Sequence, residues 1–375
     1  MAQVSSRPTL PEGAILSWIR DQDEVLARLI AAVRDDRVPQ AYLFHGPRGV
    51  GKTRTAIGLA QALNCTGDGA PCGVCLPCRK ISNLTHPDVR LLFPATRDED
   101  SRPDEIAKRL EEYGADRYHL LEFARNASIS IDRIREWKSE AGMSLSEGRR
   151  RVFILADAAR MTEDAAQSAL KLIEEPPTGT HLVLIAEEPS SLLPTIVSRC
   201  QLVRFRPLRR ESIEDVLVAK AGMDQASARL IAALSEGSLG RALGLKEETS
   251  IVKTRDAALE LLRAGTAPGE IQEKVKQWSR SLDPNSARRN IELLLMWCHD
   301  ILAIRYRLPD DQIGNIDRKK ELVAQAATMP VSRIRATIDA LEEMLDSIDR
   351  NVNPALALHE MLSRLAAAAP EGRRP

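Results

Sequence analysis

Short apolar runs alternate with amphipathic stretches through the first two hundred residues. The runs are 41–45 (Ala-Tyr-Leu-Phe-His), 89–93, 152–156, 182–186 and 202–205. Each is four or five residues long and rich in Val, Ile, Leu and Phe. That length and composition predict buried strands rather than helices. Residues 52–63 follow the first run with Ala, Leu and Gln in helix-forming density. Strands alternating with helices predict a parallel sheet covered on both faces.

Between Thr96 and Arg125 the alternation fails. The stretch is heavily charged and predicts a solvated insertion with one short helix. A helix is expected from Ile131 to Ala141 with Asp132 as its N-cap. After Phe205 no strand pattern recurs, and Pro207 marks a boundary. Residues 210–221 open an all-helical remainder, interrupted by Ser-Glu-Gly-Ser-Leu-Gly at 235–240. Residues 290–306 align Ile291, Leu294, Leu295, Cys298, Ile301 and Leu302 on one helical face. Ile334, Ile338, Leu341, Leu345 and Ile348 form a second such stripe. Both stripes read as core, with packing on another subunit as the alternative for part of the last region. No internal repeat is evident.

Composition narrows the partners. The 375 residues carry 53 Lys and Arg against 53 Asp and Glu, which excludes a diffuse electrostatic hold on nucleic acid or anionic membrane. Aromatic residues are 3%, too few for a base-stacking surface. The length suggests two or three domains. The start lacks a basic segment leading into an apolar one, and no apolar run approaches the bilayer-spanning length of about 18 residues. A cytoplasmic location without membrane contact is expected.

Residues 46–53, Gly-Pro-Arg-Gly-Val-Gly-Lys-Thr, match G-x-x-x-x-G-K-[ST]. Backbone N–H groups must curl around phosphates, and glycine permits both the dihedrals and the close approach. Gly46, Pro47, Gly49, Val50 and Gly51 form the cradle. Lys52 is expected to reach the β/γ-phosphates and Thr53 to ligate Mg²⁺. The motif follows a predicted strand and opens a predicted helix, the context that supports it. The 152–156 run ends in Asp157, placed to hold Mg²⁺ through water. Hydrolytic sites of this kind carry Glu next, but here Ala158 follows, and alanine cannot polarise water. The site is therefore expected to bind ATP or ADP and to hydrolyse poorly. The alternative is a substitute acid, Glu187 or Glu188, after the next strand.

Four of the six cysteines cluster as Cys65, Cys72, Cys75 and Cys78. Four thiolates close a tetrahedral zinc shell with no open position, so the expected role is structural. An iron–sulfur cluster is the competing metal. The segment reads as too polar to bury free cysteines. Cys200 and Cys298 stand alone and read as core.

These pieces in this order resemble the AAA+ clamp-loader subunits of bacterial DNA polymerase III, over nearly the whole chain. Carrying the resemblance are the P-loop followed by the four-cysteine module, then Ala169-Leu170-Lys171-Leu172-Ile173-Glu174-Glu175-Pro176-Pro177, then Ser198-Arg199-Cys200, then Phe205-Arg206-Pro207-Leu208. The resemblance implies an α/β AAA+ module with a zinc insertion at 65–78, spanning 1–207. It also implies a helical lid at 208–248 and a helical collar at 249–375. Arg199 occupies the motif of an arginine that completes a neighbour's ATP site, with a surface salt bridge as the alternative role. Arg241 falls near the lid's sensing arginine, offset by one position.

Implied partners are gamma/tau and delta subunits in a hetero-pentamer, the beta sliding clamp, and primer–template DNA reached through the complex. Arg133 and Arg135, at the start of the 131–141 helix, are candidates for contact with the DNA backbone, a solvated helix start being the alternative. Ala158 and the missing polar residue after the 182–186 strand depart from the hydrolytic gamma type. They favour the delta-prime type, a subunit of the polymerase holoenzyme with no polymerase site of its own. A gamma-type motor, or another self-sufficient AAA+ replication ATPase, is the second reading.

Overall fold

The computed structural model describes residues 9–367, apart from 69–70, 117–120, 122, 125, 247–250, 263–271, 274, 277–283 and 351. The chain divides into two compact units, one of residues 1–212 with 237–241 and one of 213–236 with 242–375.

The first unit is built on five parallel strands, β1 (Ala41–His45), β2 (Val89–Leu92), β3 (Arg151–Leu155), β4 (Thr180–Ala186) and β5 (Gln201–Arg204). Their order across the sheet is β2-β3-β4-β1-β5, with Leu43 of β1 opposite Leu184 of β4 and Leu202 of β5. Alternation along each strand supplies two cores. Tyr42, Phe44, Val152, Ile154, Val183 and Ile185 face one side, which also holds Ile57 and Leu59. Leu43, Phe153, Leu155, Leu182 and Leu184 face the other, with Trp137, Ala165 and Leu172. Burial on both faces is why these strands read as unbroken apolar runs. β4 begins two residues before the apolar run because Thr180 and His181 are buried despite their polarity. His181 Nδ1 lies 3.0 Å from the Pro39 carbonyl.

The helices of this unit are α1 (Asp23–Arg34), α2 (Lys52–Asn64), α3 (Leu76–Ser82), α4 (Arg97–Asp100), α5 (Pro103–Ala115), α6 (Ile131–Ala141), α7 (Glu163–Glu174) and α8 (Pro194–Val197). Two expectations are corrected here. The charged insertion holds two helices, and α5 sends Ile106, Leu110 and Tyr113 into the core rather than lying in solvent. α4 is stopped by a reciprocal Thr96–Glu99 capping box. The remainder of the insertion, at 117–120, 122 and 125, lies outside the described residues. The N-cap of α6 is Ser130, not Asp132, which sits in the first turn and favours the positive end of the helix dipole.

A buried carboxylate fixes the approach to β3. Asp88 accepts hydrogen bonds from the backbone N–H groups of Ser146, Glu147 and Gly148 at 2.8–3.1 Å. It also pairs with Arg151 at 3.3 Å, and their side chains are 1% and 8% exposed. Asn64, the last residue of α2, accepts from Arg149 and Arg150 N–H on the same loop. Burial opposes ionisation of Asp88, but these donors win and hold its carboxyl below the usual range. Asp88→Ala is expected to cost about 3–5 kcal/mol at pH 7, because it strands a buried guanidinium and three amides. A folded-state pKa below the unfolded one contributes stability above about pH 4, which is lost as pH falls through the folded value. Denaturant midpoints of the two proteins should therefore converge on acidification; a constant gap would contradict the ionic account.

The second unit is helical among the described residues. Its core joins Trp297, Ile291, Leu294, Cys298, Ile301, Leu322, Ile334, Leu341, Ile348 and Leu358. The two sequence stripes are this core, with Leu295, Leu302, Ile338 and Leu345 at its margin. The Trp297 indole N–H donates to Gln325 Oε1 at 2.9 Å. Among the described residues no helix is long and apolar enough to cross a membrane.

Candidate functional site

β1 ends at His45, and the chain turns through residues 46–51 into α2. The strand–loop–helix context expected for a phosphate cradle is therefore present. Gly46 has φ +137°, and a Cβ there would lie 2.3 Å from the Phe205 carbonyl oxygen. Gly49 has φ +71°, and a Cβ there would lie 2.2 Å from Ser238 Oγ. Both positions exclude any side chain. Val50 is buried beneath the loop.

Lys52 Nζ donates to the loop's own carbonyls, Gly46 O at 2.6 Å and Pro47 O at 2.5 Å. Burial pushes its ammonium down to about 8, with Glu187 and Asp157 opposing the shift and Arg48 reinforcing it. The lysine is thus held inside the loop as a cation that an incoming phosphate can claim. Thr53 follows on the first turn of α2.

Asp157 sits just past β3 in the left-handed region, at φ 57° and ψ 59°. Its carboxylate pairs with Arg160 at 3.1 Å and with Arg48 of the loop at 3.7 Å. Arg48 also reaches Glu187, beyond β4, at 3.4 Å. The structure thus brings the P-loop, Asp157 and Glu187 to one edge of the sheet. Glu188 is turned to Ser190, whose hydroxyl donates to it at 3.2 Å. Ala158 is fully buried at the start of a 3₁₀ turn. The Thr53 hydroxyl and the Asp157 carboxylate are hard oxygen donors of the kind Mg²⁺ takes.

Residues 237–241 lie against the loop, with Gly240 N–H donating to Gly49 O at 3.2 Å. Arg241 N–H donates to Ser238 Oγ at 3.0 Å, so its backbone is held beside the P-loop. Arg199 follows α8, with its side chain 40% exposed. Its Nη2 pairs with Glu174 at 2.7 Å and its Nη1 donates to Thr195 O at 2.9 Å. Arg133 is turned inward. Its Nη1 donates to Phe93 O at 2.7 Å and pairs with Asp100 at 3.3 Å. Of the two arginines considered for DNA contact, only Arg135 is exposed, paired with Asp132.

The four cysteines converge. Cys65 terminates α2, Cys75 caps α3 and Cys78 lies within it. All four sulfurs lie within 4.8 Å of one another, and Cys65 and Cys75 are 3.9 Å apart. A tetrahedron with metal–sulfur bonds of about 2.3 Å has sulfurs about 3.8 Å apart, so the set could hold a metal ion. Backbone N–H groups already point at the ligands, Cys72 to Cys65 Sγ and Cys75 to Cys72 Sγ. Burial alone would raise the Cys75 thiol, but N–H groups of Thr66 and Cys78 bring it down to about 6. Cys78 is pushed above the usual thiol range by burial and the sulfurs of Cys75 and Cys65. The expectation that this polar segment would not bury cysteine is corrected, since Cys65, Cys72 and Cys78 are all buried. The backbone at Gly13–Ala14 covers the turn at Gly73. Of the lone cysteines, Cys298 is in the core and Cys200 packs at its edge.

Sequence reasoning missed Arg48, Arg160 and Tyr113. The motif leaves position 48 unspecified, and Arg160 offers only an i+3 spacing from Asp157. Tyr113 is hidden in a charged stretch.

Residues 21–209 match the family model described as "DNA polymerase III, delta subunit". The chain is 31% identical over 304 residues to DNA polymerase III subunit delta' of Bacillus subtilis, covering 79% of this chain and 80% of that one. It is 29% identical over 342 residues to subunit delta' of Pseudomonas aeruginosa, covering 87% and 92%. Subunit tau of Bacillus subtilis is 26% identical over 250 residues, which span 64% of this chain and 39% of the relative.

Proposed function

The chain belongs to the DNA polymerase III delta' family, and on that footing we propose that it is a clamp-loader subunit that binds ATP, cleaves it poorly by itself and lends Arg199 to a neighbouring subunit's nucleotide. The carrying observation is a full P-loop beside an incomplete hydrolytic pair. Lys52 and Thr53 open α2, whereas Asp157 is followed by buried Ala158.

In this reading residues 1–207 are an AAA+ module, 208–248 a lid and 249–375 a collar through which subunits assemble. Backbone amides of 46–51 cradle the phosphates. Lys52 leaves the loop carbonyls for the β/γ-phosphates, and Thr53 and Asp157 would hold Mg²⁺. Asp157 must first loosen its pairing with Arg160 and Arg48, both partly exposed and therefore weakly held. Bound Mg²⁺ neutralises phosphate charge. Arg241 is assigned to sensing nucleotide from the lid side. The four cysteines hold structural zinc, which leaves no position for a substrate.

The partners in this reading are gamma/tau and delta subunits in a hetero-pentamer, the beta clamp and primer–template DNA. Glu187 supports the competing self-sufficient motor, because Arg48 joins it to the P-loop.

The purified chain is expected to bind ATP, to lose that binding on Lys52→Ala, and to release phosphate negligibly. Brisk release by the lone chain would favour the motor and overturn this reading.

A further inference from the structure

The C-terminal turn of α5 ends on the P-loop helix. Ile106, Leu110 and Tyr113 fall on one face of α5, at i, i+4 and i+7, and pack on the core that also holds Ile57. Tyr113 is 4% exposed, and its hydroxyl hydrogen-bonds the Thr53 side chain. The next residue of α2, Arg54, is 8% exposed. Arg54 Nη2 donates to Tyr113 O and Asp116 O, both at 2.6 Å, and its guanidinium carbon lies 3.7 Å from the Tyr113 ring centroid. A helix C-terminus presents unpaired carbonyls and the negative end of its dipole, so a buried cation is compensated there. The ring face adds a cation–π attraction. Arg54 Nε and Nη1 have no hydrogen-bond partner, so the ring and those carbonyls carry the compensation. On the opposite side, a Cβ at Gly114 would lie 3.0 Å from the Asn83 carbonyl oxygen. The end of α5 is thus wedged between α2 and the turn that closes α3.

This docking is too specific for a solvated appendage. A buried Arg and a buried Tyr, adjacent to the Thr of the P-loop, fasten the insertion to the residue that the ATP reading assigns to Mg²⁺. We propose that Tyr113 is a positioning residue for Thr53, which makes the insertion at 97–115 part of the nucleotide site. The inference rests on the ATP-site reading above. A Thr53 hydroxyl that donates its proton to Tyr113 keeps both oxygen lone pairs for a cation, and its rotamer is fixed before one arrives. Tyr113 does not touch the phosphates and acts only through Thr53.

Tyr113→Phe keeps the ring, its packing and its contact with Arg54, and removes only the hydroxyl. Titration of the full chain with ATP should be done in excess Mg²⁺ and in excess chelator. The wild-type affinity ratio between the two conditions should fall about fivefold to tenfold in Tyr113→Phe, the worth of one buried hydrogen bond. Its chelator-arm affinity should stay within about twofold, since the phosphate cradle is untouched. An unchanged ratio in a variant that still binds ATP overturns this inference alone. Absence of nucleotide binding by the wild type in both arms overturns the ATP reading and this inference with it. The wild type gives a second readout should the variant not fold. Backbone amides of 110–115 should exchange more slowly with Mg²⁺ and ATP than with metal-free ATP, and equal exchange overturns the proposal.

Discussion

Arg199→Ala should lower DNA-stimulated ATP turnover at the neighbouring site by about 10³-fold or more, the range attached to arginine fingers. Total turnover of the reconstituted complex should fall by the share that this site contributes. The guanidinium is parked on Glu174 and the Thr195 carbonyl, at a half-exposed position after α8. An exposed pair of that kind is worth about 0–1 kcal/mol, so the resting contact is easily exchanged for a more highly charged partner. A γ-phosphate offers that partner, and charge building on its oxygens in the transition state rewards a fork of N–H donors. Arg199→Lys should recover only part of the rate, because an ammonium is a point charge without the fork. Stability of the isolated variant should stay within about 0.5 kcal/mol of wild type, as for other surface substitutions. That combination separates a role across an interface from a structural one. Steady-state phosphate release with clamp and primed DNA decides the matter, and turnover unaffected by Arg199→Ala would leave the residue as a surface salt bridge.

What the sequence made legible depended on whether a feature is local in the chain. The P-loop is one contiguous segment whose dihedrals only glycine tolerates, so Gly46 and Gly49 announced it. The strands were legible because both faces of the sheet are buried, which leaves no polar alternation to confuse the pattern. Thr180 and His181 escaped because side chains of their polarity read as loop, yet both are buried at the start of β4. α5 escaped because its charges outnumber the three positions that reach the core. The inward turn of Arg133 is set by Phe93 and Asp100, which lie on other elements, and nothing in its own helix foretold it. Arg48 bridging to Asp157 and Glu187 is likewise a meeting of three loops at one sheet edge. The cysteine spacing announced a metal, but not that the N-terminal backbone would cover the turn at Gly73.

That cover is why loss of the metal should be felt beyond the cluster. Cys75→Ser is expected to take the protein from one zinc per chain to nearly none, and to lower its unfolding midpoint sharply. Cys65 ends the P-loop helix and Cys78 lies in α3, so the metal would splice two helices whose connecting loop has little apolar content of its own. Gln61 extends the joint. Its Nε2 donates to Cys78 O at 2.9 Å, and its Oε1 accepts from Ile15 N–H at 2.9 Å. Structural zinc in small modules contributes on the order of 10 kcal/mol of binding free energy that is coupled to folding. Much of that is spent ordering the module, so the first consequence should be local. Proteolysis within 66–75 should appear before the sheet unfolds, and chelator treatment of the wild type should reproduce it. Four thiols held this close gain nothing from one another without a cation, because ionising one raises the cost of ionising the next. An iron–sulfur cluster in the same shell would colour the protein, so a colourless chain with one zinc separates the two metals. A metal-free preparation with an unchanged midpoint would show that packing at Gly13–Ala14 and Gln61 suffices, and would remove the metal from the account.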